Sequence, residues 1–232
     1  MSIYVTGDTH GEMSMSRFSF KKWFGGKSLT KDDYLIIAGD FGLIFYPDQT
    51  PAEKYWLKWL SERPWTTLFV DGNHENFDGL NRLPVEVKFG GSVGKVTDSI
   101  YHLKRGEIYQ IQDKKILTFG GAESIDKLNR IEGISWWKEE VPNHAEMDNC
   151  IENMNKHNRK VDIIVAHTCP FFLVPVVMAK SNSLHRVADP TTKMLEHIVT
   201  SCSFEQFYCG HWHMDLNMGK YQFTYNSIYK AA

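Results

Sequence analysis

Five stretches of the chain share one pattern, a short apolar or β-branched run that stops abruptly in a cluster of polar residues. They are SIYVTGDTHG (2–11), DYLIIAGDFG (33–42), TTLFVDGNHE (66–75), DIIVAHTCP (162–170) and EQFYCGHWH (205–213). Runs of about five consecutive apolar positions predict strands buried on both faces. Helical periodicity falls between some of them. Thr50-Pro51-Ala52-Glu53 combines an N-cap, a proline at the first helical position and a capping-box glutamate, and Tyr55, Trp56, Trp59 and Leu60 then recur at helical spacing to an end near Arg63. Asn143 to Glu146 reads as a second capping box, followed by an apolar face of Met147, Cys150, Ile151 and Met154. Asp189-Pro190 predicts a third helix through Thr200, with Met194, Leu195 and Ile198 facing inward.

Residues 85–120 differ. Runs such as EIYQIQ and KKILTFGG alternate with turns holding Gly90, Gly91, Gly94 and Gly106, and predict further strands, several of them antiparallel. Tyr221 to Tyr229 reads as one last strand. Without a repeat, linker or low-complexity tract, the pattern predicts one α/β domain over residues 1–232, built on sheet layers.

Composition narrows the class. The 232 residues are 42% hydrophobic, enough for one sizeable core. A formal net charge of −2 speaks against a protein held to nucleic acid or an anionic membrane by bulk charge. Four irregularly spaced cysteines read as reduced thiols of an intracellular protein. With neither a signal-type segment nor an apolar run of membrane-spanning length, the expected location is the cytoplasm.

The polar clusters carry the chemistry. Ligands of open α/β sheets gather beyond the carboxyl ends of the strands. Here five predicted strands end in Asp8 and His10; Asp40; Asn73 and His74; His167; and His211 and His213. Imidazole and carboxylate donors suit first-row divalent ions. Two such ions repel, so they need a shared anion, and Asp40 is the acidic residue that stands alone on its strand. A water between them would become a nucleophile near neutral pH, and the pair would clamp the oxygens of an in-line phosphoryl displacement.

GDTHG at 7–11, GD at 39–40, GNHE at 72–75, His167 and GHWH at 210–213 resemble the calcineurin-like metallophosphoesterase family, in order and across nearly the whole chain. The resemblance implies a β-sandwich flanked by helices with a dinuclear metal site at the strand ends. It implies that Asp8, His10 and His213 hold one ion, Asn73, His167 and His211 the other, and Asp40 both. The ions would be manganese, iron, zinc or nickel. His74 would contact phosphate or protonate the leaving oxygen, Gly72 would permit a tight turn, and Glu75 would orient the loop. The implied activity is hydrolysis of small phosphomonoesters or phosphodiesters, possible nucleotides among them, by metal-bound hydroxide. The second block departs from many relatives: it reads GDFGLIF rather than GDxxDRG, without the phosphate-gripping arginine. That weakens a protein serine/threonine phosphatase or diadenosine-tetraphosphatase-like reading, and a non-catalytic scaffold remains the rival from another class.

Three further features stand beside these. Arg130, after the run KILTF and Gly120-Gly121, is the first candidate for the missing cation, with pairing to a surface carboxylate as its alternative. His185, in SNSLHRVADP, is a candidate to reach over the site and read substrate, or else part of an ordinary loop. Trp136-Trp137 could wall the cleft, but core packing or a lid suits them better.

Overall fold

The computed structural model describes residues 1–181 and 189–232. In chain order its elements are β1 (Ile3–Thr6), α1 (Glu12–Met15), β2 (Tyr34–Ala38), α2 (Pro51–Ser61), β3 (Thr66–Val70), α3 (Phe77–Asn81), β4 (Val85–Lys88), β5 (Gly91–Thr97), β6 (Ile100–Leu103), β7 (Ile108–Ile111) and β8 (Lys114–Phe119). They continue as α4 (His144–Lys156), β9 (Ile163–Ala166), α5 (Val174–Ser181), α6 (Pro190–Ser201), β10 (Gln206–Cys209), β11 (Leu216–Met218), β12 (Tyr221–Phe223) and β13 (Ile228–Lys230), with short 3-10 turns between.

Strand alternation splits each central run between two apolar layers. Ile36 and Ala38 of β2, Leu68 and Val70 of β3, and Ile163 and Val165 of β9 meet in one cluster between the sheets. Leu35, Ile37 and Phe69 face the opposite way, onto Leu57 and Leu60 of α2 and Leu80 of α3. Ile164 and Ala166 of β9 and Phe207 of β10 likewise turn outward, onto Cys150 and Met154 of α4 and Leu195 and Ile198 of α6. The result is a mixed α/β sandwich of two sheets with helices on both outer faces.

Among the described residues the first sheet runs β13-β1-β2-β3-β6-β5-β4 and the second β11-β12-β10-β9-β8-β7. β1, β2, β3 and β6 are mutually parallel, as are β8, β9, β10 and β12. Both sheets therefore point the carboxyl ends of their central strands to one edge of the sandwich. The predicted last strand is two strands. β12 joins the second sheet beside β10, and β13 crosses to pair antiparallel with β1 in the first. The break lies at Tyr225 and Asn226, whose N–H groups donate to the Asp215 carboxylate.

The capped helices form where the caps predict them. Thr50 and Glu53 close a reciprocal capping box on α2, and Asn143 and Glu146 one on α4. The Asp189 side chain accepts from the Thr192 N–H at the start of α6. Each cap contributes about 1 kcal/mol. None of the four cysteines forms a disulfide, and all are buried. Among the described residues no helix is long and apolar enough to cross a membrane.

Candidate metal centre

Each polar cluster begins one or two residues beyond a parallel strand, where the backbone turns sharply. His10, Asp40, His211 and His213 all have positive φ (46°, 48°, 67° and 50°), a costly conformation for residues with a Cβ. Neighbouring loops hold them there. The Asp40 carbonyl accepts from the Thr9 and His10 N–H groups at 3.0 and 2.8 Å. Buried Glu75 accepts from the Phe41 N–H at 2.6 Å and the Gly42 N–H at 3.3 Å, which ties the loop after β2 to the loop after β3.

Three glycines let the clusters close on one another. A Cβ on Gly39 would stand 2.0 Å from His167 Nδ1, and one on Gly210 would stand 2.0 Å from Asp8 Oδ1. A Cβ on Gly72 would stand 2.0 Å from Asp40 Oδ1. Gly72 does not have a positive φ, so close approach, rather than the tight turn the sequence suggested, is what demands glycine there.

The donors meet in two groups around Asp40. In the first, Asp8, His10, Asp40 and His213 each offer an atom, and all four atoms lie within 4.8 Å of one another. His10 Nε2 and His213 Nε2 are 3.0 Å apart, and His213 Nε2 is 3.1 Å from Asp8 Oδ2. Both Asp8 oxygens also accept from the His211 N–H, at 2.9 and 3.0 Å. In the second, His167 Nε2 faces Asn73 Oδ1 at 3.1 Å and Asp40 Oδ1 at 3.3 Å, and the His167 and His211 rings lie 5.0 Å apart edge to face.

The second group has a requirement of its own. His167 Nδ1 lies 2.9 Å from the Ala38 carbonyl and must donate to it, so the neutral ring would aim a bare Nε2 lone pair at two oxygens. Something positive belongs between them. Burial alone would lower the pKa of His167, but Asp40, Asp8 and the Ala38 hydrogen bond outweigh it, and the net shift is upward. A buried site that favours an extra proton among N and O donors is also one that a divalent cation can take over. The donor set therefore fits metal.

Asp40 is buried between the two groups. Burial would raise its carboxyl, but His167, His74 and His10, together with the His74 N–H donated to Oδ1 at 2.9 Å, hold it well below the usual carboxylate range. It stands ready as an anion.

His74 points elsewhere. It lines a cavity of about 200 Å³ with Asp40, Asn73, Ile125, Asp126, Arg130, His211 and His213. Arg130 Nη1 lies 3.1 Å from His74 Nδ1, also reaches the Ser135 carbonyl, and its Nη2 pairs with Asp126 at 2.8 Å. Arg130 thus pairs with a carboxylate and also faces the candidate site. A guanidinium only donates, so Nδ1 accepts and the neutral ring carries its proton on Nε2. The 3.5 Å approach of Nη2 to Nε2 is too long to reverse that assignment. Burial and then Arg130 outweigh Asp40 and lower the His74 pKa.

Two positioning residues escaped the sequence reading. The Asn73 amide donates to Ser124 Oγ at 3.1 Å, and the Ser124 hydroxyl and N–H both donate to Glu140, at 2.7 and 2.6 Å. This chain turns Asn73 Oδ1 toward His167. Trp136 donates to the same Glu140 at 2.7 Å, and buried Trp137 donates to Asp78 at 3.0 Å, so each indole N–H is engaged inside the protein. Ser124 and Glu140 lie in a stretch without periodicity, and only the fold shows which serine and which acid reach Asn73. His185 lies outside the described residues.

Residues 1–215 match the family model described as calcineurin-like phosphoesterase. The chain belongs to this family. No curated protein matches it. A calcineurin-like phosphoesterase is a hydrolase of phosphate esters in general terms, and the family is typically metal-dependent. The four-donor group at Asp8, His10, Asp40 and His213 is the candidate metal-binding cluster of this member.

Proposed function

We propose that this calcineurin-like phosphoesterase hydrolyses small phosphomonoesters or phosphodiesters with two divalent ions, drawn from manganese, iron, zinc and nickel. Asp8, His10 and His213 would hold one ion, Asn73, His167 and His211 the second, and Asp40 would bridge both. When bound, the ions supply Lewis acidity toward phosphate oxygens and lower the pKa of an attacking water.

The observation that carries the reading is the Arg130–His74 contact at 3.1 Å beside Asp40. Arg130 brings a cation where the second sequence block lacks one, and a guanidinium suits paired phosphate oxygens. Its bond to Nδ1 leaves the His74 Nε2–H free to donate to the phosphate or to the departing oxygen. The cavity of about 200 Å³ has room for one phosphoryl group, and among its described lining residues Arg130 is the one lysine or arginine, which favours small esters over a nucleic-acid strand.

Hydrolysis of p-nitrophenyl phosphate and of its bis ester by the manganese-loaded protein, beside Asp40→Asn, tests this. Cleavage of either ester by the wild type with a dead variant supports it, and the preferred ester separates monoesterase from diesterase. Inactivity with manganese, zinc, nickel and iron would overturn it in favour of a protein phosphatase or a scaffold.

A further inference from the structure

A second, larger cavity of about 540 Å³ is lined in part by His74 and His10. Its floor is the paired backbone of Gly11 and Gly42. A Cβ on Gly42 would stand 2.5 Å from the Gly11 nitrogen, and one on Gly11 would stand 2.6 Å from the Gly42 carbonyl oxygen, so the floor carries no side chains. Leu43 and Phe45 form one wall, with Met13 (81% exposed) and Tyr46 (54% exposed) at the rim. Exposed apolar side chains beside a reactive centre mark a binding surface for something apolar and flat.

The rim is preorganised. Buried Glu53 accepts from the Phe45, Tyr46 and Thr50 N–H groups at 2.7, 3.2 and 2.8 Å, which fixes the backbone that carries both rings. The Tyr46 ring stands edge-on to Phe45 with centroids 5.4 Å apart, and Phe45 stands edge-on to Trp137 at 6.0 Å. An aromatic platform whose loop is already ordered loses little freedom when a ligand stacks on it.

Charge decides what can enter. Among the described residues that line the cavity none is lysine or arginine. The exposed carboxylate is Glu12, since Glu53 is buried and engaged by the loop. A second phosphate would meet a carboxylate there and, among the described lining residues, no lysine or arginine. An uncharged ring would meet apolar side chains and one hydrogen-bond acceptor for a ring N–H or amino group.

We propose that this cavity is the subsite for the alcohol half of the ester, and that it takes an uncharged aromatic or heteroaromatic group such as a nucleoside. The assignment rests on the phosphoesterase reading above, with the phosphoryl group in the smaller cavity. His74 lines both cavities and so stands at the scissile bond. Water oxygen bonds to phosphorus and gives up a proton, and the phosphorus–alcohol oxygen bond breaks with its electron pair on that oxygen. The oxygen takes up a proton, and the alcohol is left in the larger cavity.

The test compares adenosine 5′-monophosphate with ribose 5-phosphate on the manganese-loaded full chain. Both release a primary alcohol, so leaving-group chemistry is matched and only the ring differs. The nucleotide should have the higher kcat/KM by on the order of 10-fold, carried by KM, as one stacking contact supplies. Tyr46→Ala should pull that ratio toward one. A second readout needs neither metal nor turnover: with methyl-labelled methionine, phosphate-free adenosine should shift the Met13 signal saturably in the wild type and less in Tyr46→Ala. Equal kcat/KM for the two esters, or an unmoved Met13 signal, would overturn the subsite while leaving the hydrolase intact. A Met13 shift without hydrolysis of any ester would show that the cavity binds the ring but would refute the phosphoesterase reading and, with it, the assignment to the alcohol half.

Discussion

Gly72 and Asp40 are packed so closely that the glycine hydrogen occupies the place of a Cβ that would stand 2.0 Å from Asp40 Oδ1 and 2.4 Å from the Asp40 nitrogen. Gly72→Ala must therefore displace the residue assigned as the bridge. The expected result is loss of most activity and weaker manganese binding by titration calorimetry, with the far-ultraviolet spectrum retained. Wild-type affinity in this variant would show that the loop can retreat without moving Asp40.

Arg130 faces His74 from the loop after β8 and depends on Asp126 and the Ser135 carbonyl for its pose. Losing a charge-assisted hydrogen bond to phosphate costs about 1.5–3 kcal/mol, on the order of 10- to 100-fold in kcat/KM. Arg130→Ala should lose that much, mainly through KM, and Arg130→Lys should recover part of it. Steady-state kinetics on p-nitrophenyl phosphate decide the matter, and an unchanged KM would return Arg130 to a purely structural role.

Ser124 links Asn73 to buried Glu140. Removing an outer partner of a metal ligand typically lowers affinity about 10- to 100-fold. Ser124→Ala should weaken manganese binding by that order, and also lower the thermal midpoint of the metal-free protein because buried Glu140 loses a hydrogen bond. A wild-type isotherm would mean that Asn73 orients without help.

Asp71 lies behind the site, paired with buried Arg105 through Nε at 2.8 Å and Nη2 at 2.5 Å, and with His102 at 3.0 Å. Breaking a buried pair by removing one charge costs about 3–5 kcal/mol, so Asp71→Asn should be strongly destabilised in urea at pH 7. Burial would raise the Asp71 carboxyl, but Arg105 and His102 outweigh it and hold it below its ordinary value. A depressed carboxyl contributes fully above the unfolded value of about 3.9 and loses that contribution as pH falls through the folded value. The stability gap between wild type and Asp71→Asn should stay constant from neutral pH to about 5 and narrow below about 4. A gap that widens on acidification would contradict the assignment.

The strands that carry donors were legible because burial on both faces writes an unbroken apolar run, as in YLIIA of β2 and IIVA of β9. Helices α2, α4 and α6 were legible from their caps. Short helices such as α3 (FDGLN) lack the length to show a period, and β11 (LNM) lacks an apolar run. The division of 221–229 between two sheets depends on Asp215, six residues or more away, which no local pattern displays. At the site, ligand-type residues announced themselves by chemistry and spacing. The Glu140–Ser124–Asn73 chain joins segments 16 and 51 residues apart, and sequence order does not record it.

The donors belong to two different sheets: Asp8, His10, Asp40 and Asn73 extend from β1, β2 and β3, whereas His167, His211 and His213 extend from β9 and β10. An ion gripped from both sides would be a removable cross-brace between halves of the sandwich, closing a chain loop from Asp8 to His213 without a covalent bond. Chelation would then do more than silence the site. It would loosen the seam between the sheets, so that catalytic readiness and mechanical cohesion rise and fall with the same ion concentration.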